Sequence, residues 1–140
     1  MAGAVRLGFT GTGKGMTDRQ KEVVRHTLTV NRPTLFVHGG CTGADDQADA
    51  IAAELGIHRV VFPSSVVERS VPAEVLRGRG PCTIAQPQPG SPLLRNPRIV
   101  AASDLLLACP QQPNEIQRSG TWATVRCARR MARPVVVITP

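Results

Sequence analysis

Residues 6–30 read RLGFTGTGKGMTDRQKEVVRHTLTV, which is the pattern of a strand, a glycine turn and a helix. Arg6 to Thr10 is a short strand. Thr17-Asp18-Arg19-Gln20 has the spacing of a capping box, in which the Thr hydroxyl and the Gln side chain satisfy each other's backbone amides. A helix over about Asp18–Val30 follows, with Val23, Val24, Thr27 and Leu28 inward at helical spacing, and Pro33 closes it.

The unit then recurs. Thr34 to His38 is a second strand, and Gly39-Gly40-Cys41-Thr42-Gly43 is its loop. Ala44, Ala48, Ile51, Ala52 and Leu55 lie on one helical face, with Gly56 as a C-terminal stop. His58 to Phe62 is a third strand, ended by Pro63. From Ser64 to Leu94 the periodicity fades into a long Pro/Arg-rich loop, in which Cys82 to Gln86 could form a short strand. Asn96-Pro97 reads as an N-cap followed by a proline at the first helical position. Asp104 to Cys109 is a buried strand, Ser119-Gly120 opens a last helix with Ala123, Cys127, Ala128 and Met131 inward, and Pro134 to Thr139 is the fifth strand.

Alternation of this kind predicts one α/β domain over residues 1–140, a Rossmann-like three-layer sandwich around a mainly parallel sheet of about five strands. A strand order of 3-2-1-4-5 would place the reversal between the first and fourth strands. Ligands bind beyond the carboxyl ends of strands at such a point.

Composition bounds the function classes. The 140 residues are 41% hydrophobic and 19% charged, as in globular proteins. No apolar run reaches the ~18 residues of a membrane span, and the first residues lack a secretory pattern, so a cytoplasmic location without membrane association is expected. Cys41, Cys82, Cys109 and Cys127 are scattered without zinc spacing, and neither a metal nor a cofactor is expected. Cys109 and Cys127 read as buried thiols. The net charge of +7 comes from 15 Arg and 2 Lys spread along the chain, with no Tyr, one Trp and three Phe. This permits phosphate partners but offers few platforms for stacking bases, so nucleic acid is possible and not favoured.

Four helix starts carry candidate ligand chemistry. Gly8 to Lys14 fits G-x-x-x-x-G-K, but Gly15 stands where magnesium binding needs Ser or Thr, which argues against an ATPase. Gly11, Thr12, Gly13 and Lys14 remain candidates for close approach to an anion, the alternative being a bare tight turn. In the second loop Gly40, Cys41 and Asp45 are candidates. Asp45 either accepts from a ribose hydroxyl or completes a helix cap with Thr42, and His38 is either packed or a base. Arg118 precedes the third start, at Ser119, Gly120 and Thr121, and Arg95-Asn96 the fourth; a guanidinium among helix N-termini suits phosphate.

The blocks GFTGTGKGMT, HGGCTGAD, LLRNPRIVAASDLLLACP and RSGTWATVRCARR, in this order, resemble the SLOG superfamily, which includes the DNA-processing protein A proteins and the Lonely guy phosphoribohydrolases. The resemblance covers nearly all of the chain except residues 64–92. It implies a Rossmann-like fold, a homodimer or higher homo-oligomer, and a nucleotide-type ligand held by Gly11, Thr12, Gly40, Asp45, Arg95, Asn96, Ser119, Gly120 and Thr121. The phosphoribohydrolase motif P-G-G-x-G-T-x-x-E is broken, because Arg118-Ser119 replace its leading glycines and Thr124 stands where its glutamate assists glycosidic cleavage. Threonine cannot take up a proton at neutral pH as a carboxylate can. The reading is therefore a sensor or carrier module for a small nucleotide. The alternatives are a phosphoribohydrolase-like enzyme, with Glu115 or Asp45 as substitute, and a single-stranded DNA binder.

Overall fold

The computed structural model describes residues 5–87 and 95–140. The elements run β1 (Arg6–Gly11), α1 (Asp18–Asn31), β2 (Leu35–His38), α2 (Ala44–Glu54), β3 (Arg59–Val61), a 3₁₀ turn (Val67–Arg69), α3 (Ala73–Gly78), β4 (Cys82–Ile84), α4 (Asn96–Ala101), β5 (Leu105–Cys109), α5 (Gly120–Arg130) and β6 (Val135–Val137). All strand pairs are parallel, in the order β4-β3-β2-β1-β5-β6. The chain winds outward from β1 to β4 and returns to add β5 and β6 on the other side. The reversal lies between β1 and β5, where the sequence placed it.

The sheet has six strands, the short strand possible at Cys82–Gln86 forming over Cys82–Ile84 and pairing with β3 as an edge strand. One expectation is corrected. The stretch from Ser64 is not one long loop, since the 3₁₀ turn, α3 and β4 all form within it. Val71 and Leu76 explain this, burying themselves on Val61 with Cys82 and Ile84 against them, a cluster too short for a visible period. The rest of the expected loop, residues 88–94, lies outside the described residues.

The three layers follow from alternation along β5. Leu107 and Cys109 face one side with Val24 and Leu28 of α1 and Ala44, Ala48 and Ala52 of α2. Leu106 and Ala108 face the other, against Cys127, Ala128, Trp122 and Val125 of α5. Burial of each such large apolar side chain favours folding by about 1.5–3 kcal/mol. The capping box forms as read, and its glutamine does more. Gln20 is buried, its Oε1 accepts from the Thr17 amide, and its Nε2 donates to the carbonyls of Pro110 and Ile138, both at 2.9 Å. These three bonds use both N–H donors and the oxygen of one side-chain amide, tying the start of α1 to the ends of β5 and β6. No helix among the described residues is long and apolar enough to cross a membrane.

The β2–β4 wing is organised by a buried charge cluster. Asp49 of α2 accepts from His38 Nε2 at 2.8 Å, from Arg59 Nε at 2.9 Å and from Arg79 at 3.0 Å. Arg59, fully buried on β3, also donates to the carbonyls of Pro81 and Leu76. His38 Nδ1 accepts from the Gly40 amide at 3.0 Å, so the ring proton sits on Nε2 and points at Asp49. Burial alone would push the Asp49 carboxyl up; the bonds from His38, Arg59 and Arg79 outweigh it and hold the group well below the usual carboxylate range.

The β1 and β2 loops interlock through Gly43. Its φ is +92°, and a Cβ there would lie 2.4 Å from the carbonyl oxygen of Gly13. Only glycine accepts both the left-handed backbone and that approach.

Two consequences are measurable by denaturant unfolding. Asp49→Asn should cost about 3–5 kcal/mol, the cost of leaving a buried guanidinium without its counter-charge. Because the folded carboxyl lies below its unfolded value, its stabilisation is complete above about pH 4 and drains as pH falls below that; the variant should show the shallower acid limb, and parallel acid limbs would refute the assignment. Gly43→Ala should lose at least about 1–2 kcal/mol from φ alone, with a further loss because the atom it meets is backbone.

Candidate functional site

The loops at the carboxyl ends of β1, β2 and β5 meet at the reversal, and their hydrogen bonds decide which can serve a ligand. After β1, the Thr12 amide donates to Cys109 of β5 at 3.0 Å, and its carbonyl accepts from Gly15 and from Ala44, the first residue of α2. Thr12 Oγ1 accepts from the Lys14 amide. Gly11 ends β1 so close to α2 that a Cβ would lie 2.4 Å from that of Ala44. Gly13 and Lys14 are exposed at the tip.

The β2 loop turns its donors inward. Gly40 donates to His38, Cys41 to Asp45 Oδ2 at 3.2 Å, Thr42 to the Arg69 carbonyl at 3.0 Å, and Ala44 to Thr12. The N-cap of α2 is Gly43, without a side-chain bond, so Asp45 does not complete a cap with Thr42 but braces the loop at Cys41. Burial pushes the Asp45 carboxyl up, and its Oδ1 has no partner among the described residues. Arg95 is buried over the same loop, donating to the Gly39 carbonyl at 2.8 Å and to Cys41 Sγ at 2.8 Å. A Cβ at Gly39 would sit 2.8 Å from the Arg95 guanidinium carbon. Cys41 is pushed up by burial and by Asp45 despite Arg95, so its thiol keeps its proton. Both ring nitrogens of His38 are engaged, which makes it a packed histidine rather than a base for Cys41.

The β5–α5 side is open. Ser119 caps α5 through its hydroxyl, which accepts from the Trp122 amide at 3.2 Å. The amides of Gly120 and Thr121, in the first helical turn, have no partner among the described residues. They border a cleft of about 440 Å³ whose other wall is Thr12, Gly13 and Lys14. Arg118, which precedes the third helix start, and Arg69, which the sequence did not single out, also line it, with Gln111, Gln112 and Ile116. Trp122 lines it too, buried, its indole N–H without a partner among the described residues. No carboxylate is among the lining residues.

Thus the structure brings Thr12, Gly13 and Lys14 together with Ser119, Gly120 and Thr121, and gathers Gly40, Cys41, Asp45 and Arg95 into a separate buried cluster. Asn96 belongs to neither. It is the first residue of α4, whose N-cap is Arg95 with no side-chain bond, and it lines a small cleft with Ala123 and Cys127. Thr124 is buried, its hydroxyl donating to the Gly120 carbonyl at 2.9 Å along the helix. Glu115 pairs with Arg126 at 3.0 Å and Arg129 at 3.2 Å, away from the cleft. Arg69 was invisible because it falls in the aperiodic stretch, where only its position next to Ser70, bridged to Cys41, brings it in.

No protein-family model matches the chain, and no curated protein matches its sequence. Solved structures do resemble its fold. DNA processing protein A from Streptococcus pneumoniae superposes with a TM-score of 0.72 at 15% identity, over 96% of this chain and 50% of that one. This chain therefore spans half the length of that protein. The molybdenum cofactor binding protein of Rippkaea orientalis gives 0.70 at 17% identity, over 100% and 79%. DNA processing protein A from Helicobacter pylori, described for its single-stranded DNA binding mode, gives 0.68 at 21% identity, over 95% and 64%. At these identities the likeness is one of fold: the chain has a Rossmann-like α/β fold shared with these structures.

Proposed function

We propose that the chain binds a small nucleotide or nucleotide-derived ligand in the cleft between the β1 loop and the start of α5, as a sensor or carrier module. The observation that carries this is the cleft's polarity. Three cations and a helix N-terminus with unspent amides converge there, and no carboxylate is among the described residues that line the space. Amides at a helix start, backed by the helix dipole, bind phosphate well.

The neighbours support a ligand-binding use of this fold, since one is named for molybdenum cofactor binding and another for single-stranded DNA binding. The small-ligand reading suits this chain better. The cleft has the volume of a small-molecule site, and Trp122 is the one aromatic residue among those lining it. Glycosidic hydrolysis has little support, with Thr124 hydrogen-bonded inside the helix and Glu115 held by two arginines. Asp45 and Arg95 serve in this reading as the frame that shapes the β2 loop, and a homodimer and a cytoplasmic setting remain part of the proposal.

A thermal-shift screen of nucleotides, with each hit incubated and analysed for free base, tests this. A ligand at a hundredfold excess over its dissociation constant should stabilise the fold by about 2.7 kcal/mol. Arg118→Gln should weaken the hit by about tenfold, the worth of one charge-assisted hydrogen bond. No stabilisation by any nucleotide at millimolar concentration would sink the proposal. Release of free base would replace it with the enzyme.

A further inference from the structure

The cleft says more about its ligand than that it is anionic. Its cations come from three separate segments: Lys14 from the β1 loop, Arg118 from the residue before the α5 cap, and Arg69 from the turn between β3 and α3. None of the three forms an ion pair among the described residues. Arg69 is held in place by its own backbone. Its carbonyl accepts from the Thr42 amide at 3.0 Å, and the next residue, Ser70, is bridged to Cys41. Its side chain is therefore free of structural work while its main chain is anchored to the wall of the site.

A single phosphate at the α5 N-terminus is already served by the Gly120 and Thr121 amides and the neighbouring Arg118. Carrying about −1.5 to −2 at neutral pH, it offsets Arg118 and at most about one of Lys14 and Arg69, whose exposed side chains line the same cleft. A monophosphate would therefore leave about one positive charge unanswered; a second phosphate group would match it. Resting on the nucleotide reading above, we infer that the site is built for a diphosphate-bearing ligand, with Arg69 selecting the second phosphate against monophosphates.

The test is calorimetric titration of the full chain with orthophosphate, pyrophosphate, AMP and ADP at matched ionic strength. Pyrophosphate should bind about tenfold or more tighter than orthophosphate, and ADP likewise over AMP, one charge-assisted contact being worth that much. Arg69→Gln should bring both ratios close to one while changing the monophosphate affinities little; its backbone bond to Thr42 is retained, and a circular dichroism melt verifies the fold. Arg130→Gln, an exposed change at the far end of α5, should leave both ratios alone. Equal affinity for AMP and ADP, or ratios indifferent to Arg69→Gln, would overturn the diphosphate inference and leave the nucleotide reading standing. Pyrophosphate selectivity that depends on Arg69, with no nucleotide binding, would do the reverse. Affinity for oligothymidylates that climbs with their length beyond that for ADP would overturn both, in favour of a polynucleotide.

Discussion

Asp49 is a carboxylate wholly removed from solvent, and the site depends on how its charge is answered. Two guanidiniums and an imidazole converge on it from β2, β3 and the end of α3. The consequences run outward along the hydrogen bonds. The imidazole proton is directed to Asp49, which leaves Nδ1 to take the Gly40 amide. That bond bends the chain into the left-handed Gly40, at φ +68°, and sets the turn that delivers Cys41 to Asp45 and Arg95. A buried ion cluster is costly to assemble, and replacing it with apolar residues is often neutral or better for stability. Its use here is geometric. It holds a loop at one strand end in a single arrangement, which an apolar contact without direction would not do.

The sequence made the fold legible wherever a period of two or of 3.6 persisted long enough to count. The alanine face of α2 is such a place, Leu105 to Cys109 is marked instead by an unbroken apolar run, and the capping box at Thr17 marks a helix start by chemistry alone. Legibility ended where an element spans fewer than two of its own periods. β4 is three residues long, and α3 buries Leu76 as its one anchor. The charge cluster was hidden for another reason. Arg59 sits inside an apolar strand and Asp49 between the alanines of α2, and nothing local in either stretch tells that each is the other's partner ten residues away. His38 at a strand end was noticed, but its role needed Asp49 to be placed.

The candidate site was legible as a region and less so in its parts. Four helix starts looked equally suited to an anion, because glycines, hydroxyls and prolines announce a helix start without saying whether its amides are free. The structure separates them. At α2 the amides of Thr42 and Ala44 are spent on Arg69 and Thr12, and that of Cys41 on Asp45. At α4 the flanking guanidinium faces the β2 loop and not the opening. The glycines of the β2 loop are there for close packing: Gly39 under Arg95 and Gly43 against Gly13.

That leaves α5 as the helix start whose first amides are unspent among the described residues, facing the tip of the β1 loop, and the asymmetry has a physical origin. The β2 loop carries its own acid, Asp45, whose buried carboxyl takes the Cys41 amide at the helix start. Burial pushes that carboxyl up, so the start is closed by a hydrogen bond to its own side chain rather than by charge. At α5 the corresponding first turn carries Gly120, Thr121 and Trp122, with no acid and with an arginine just before it. Neighbouring helix starts thus differ: one is closed by an internal carboxyl and serves as scaffold, the other is left open with an arginine just before it. The same difference extends to Thr124. Its hydroxyl turns back to the Gly120 carbonyl and puts no charge beside the cleft.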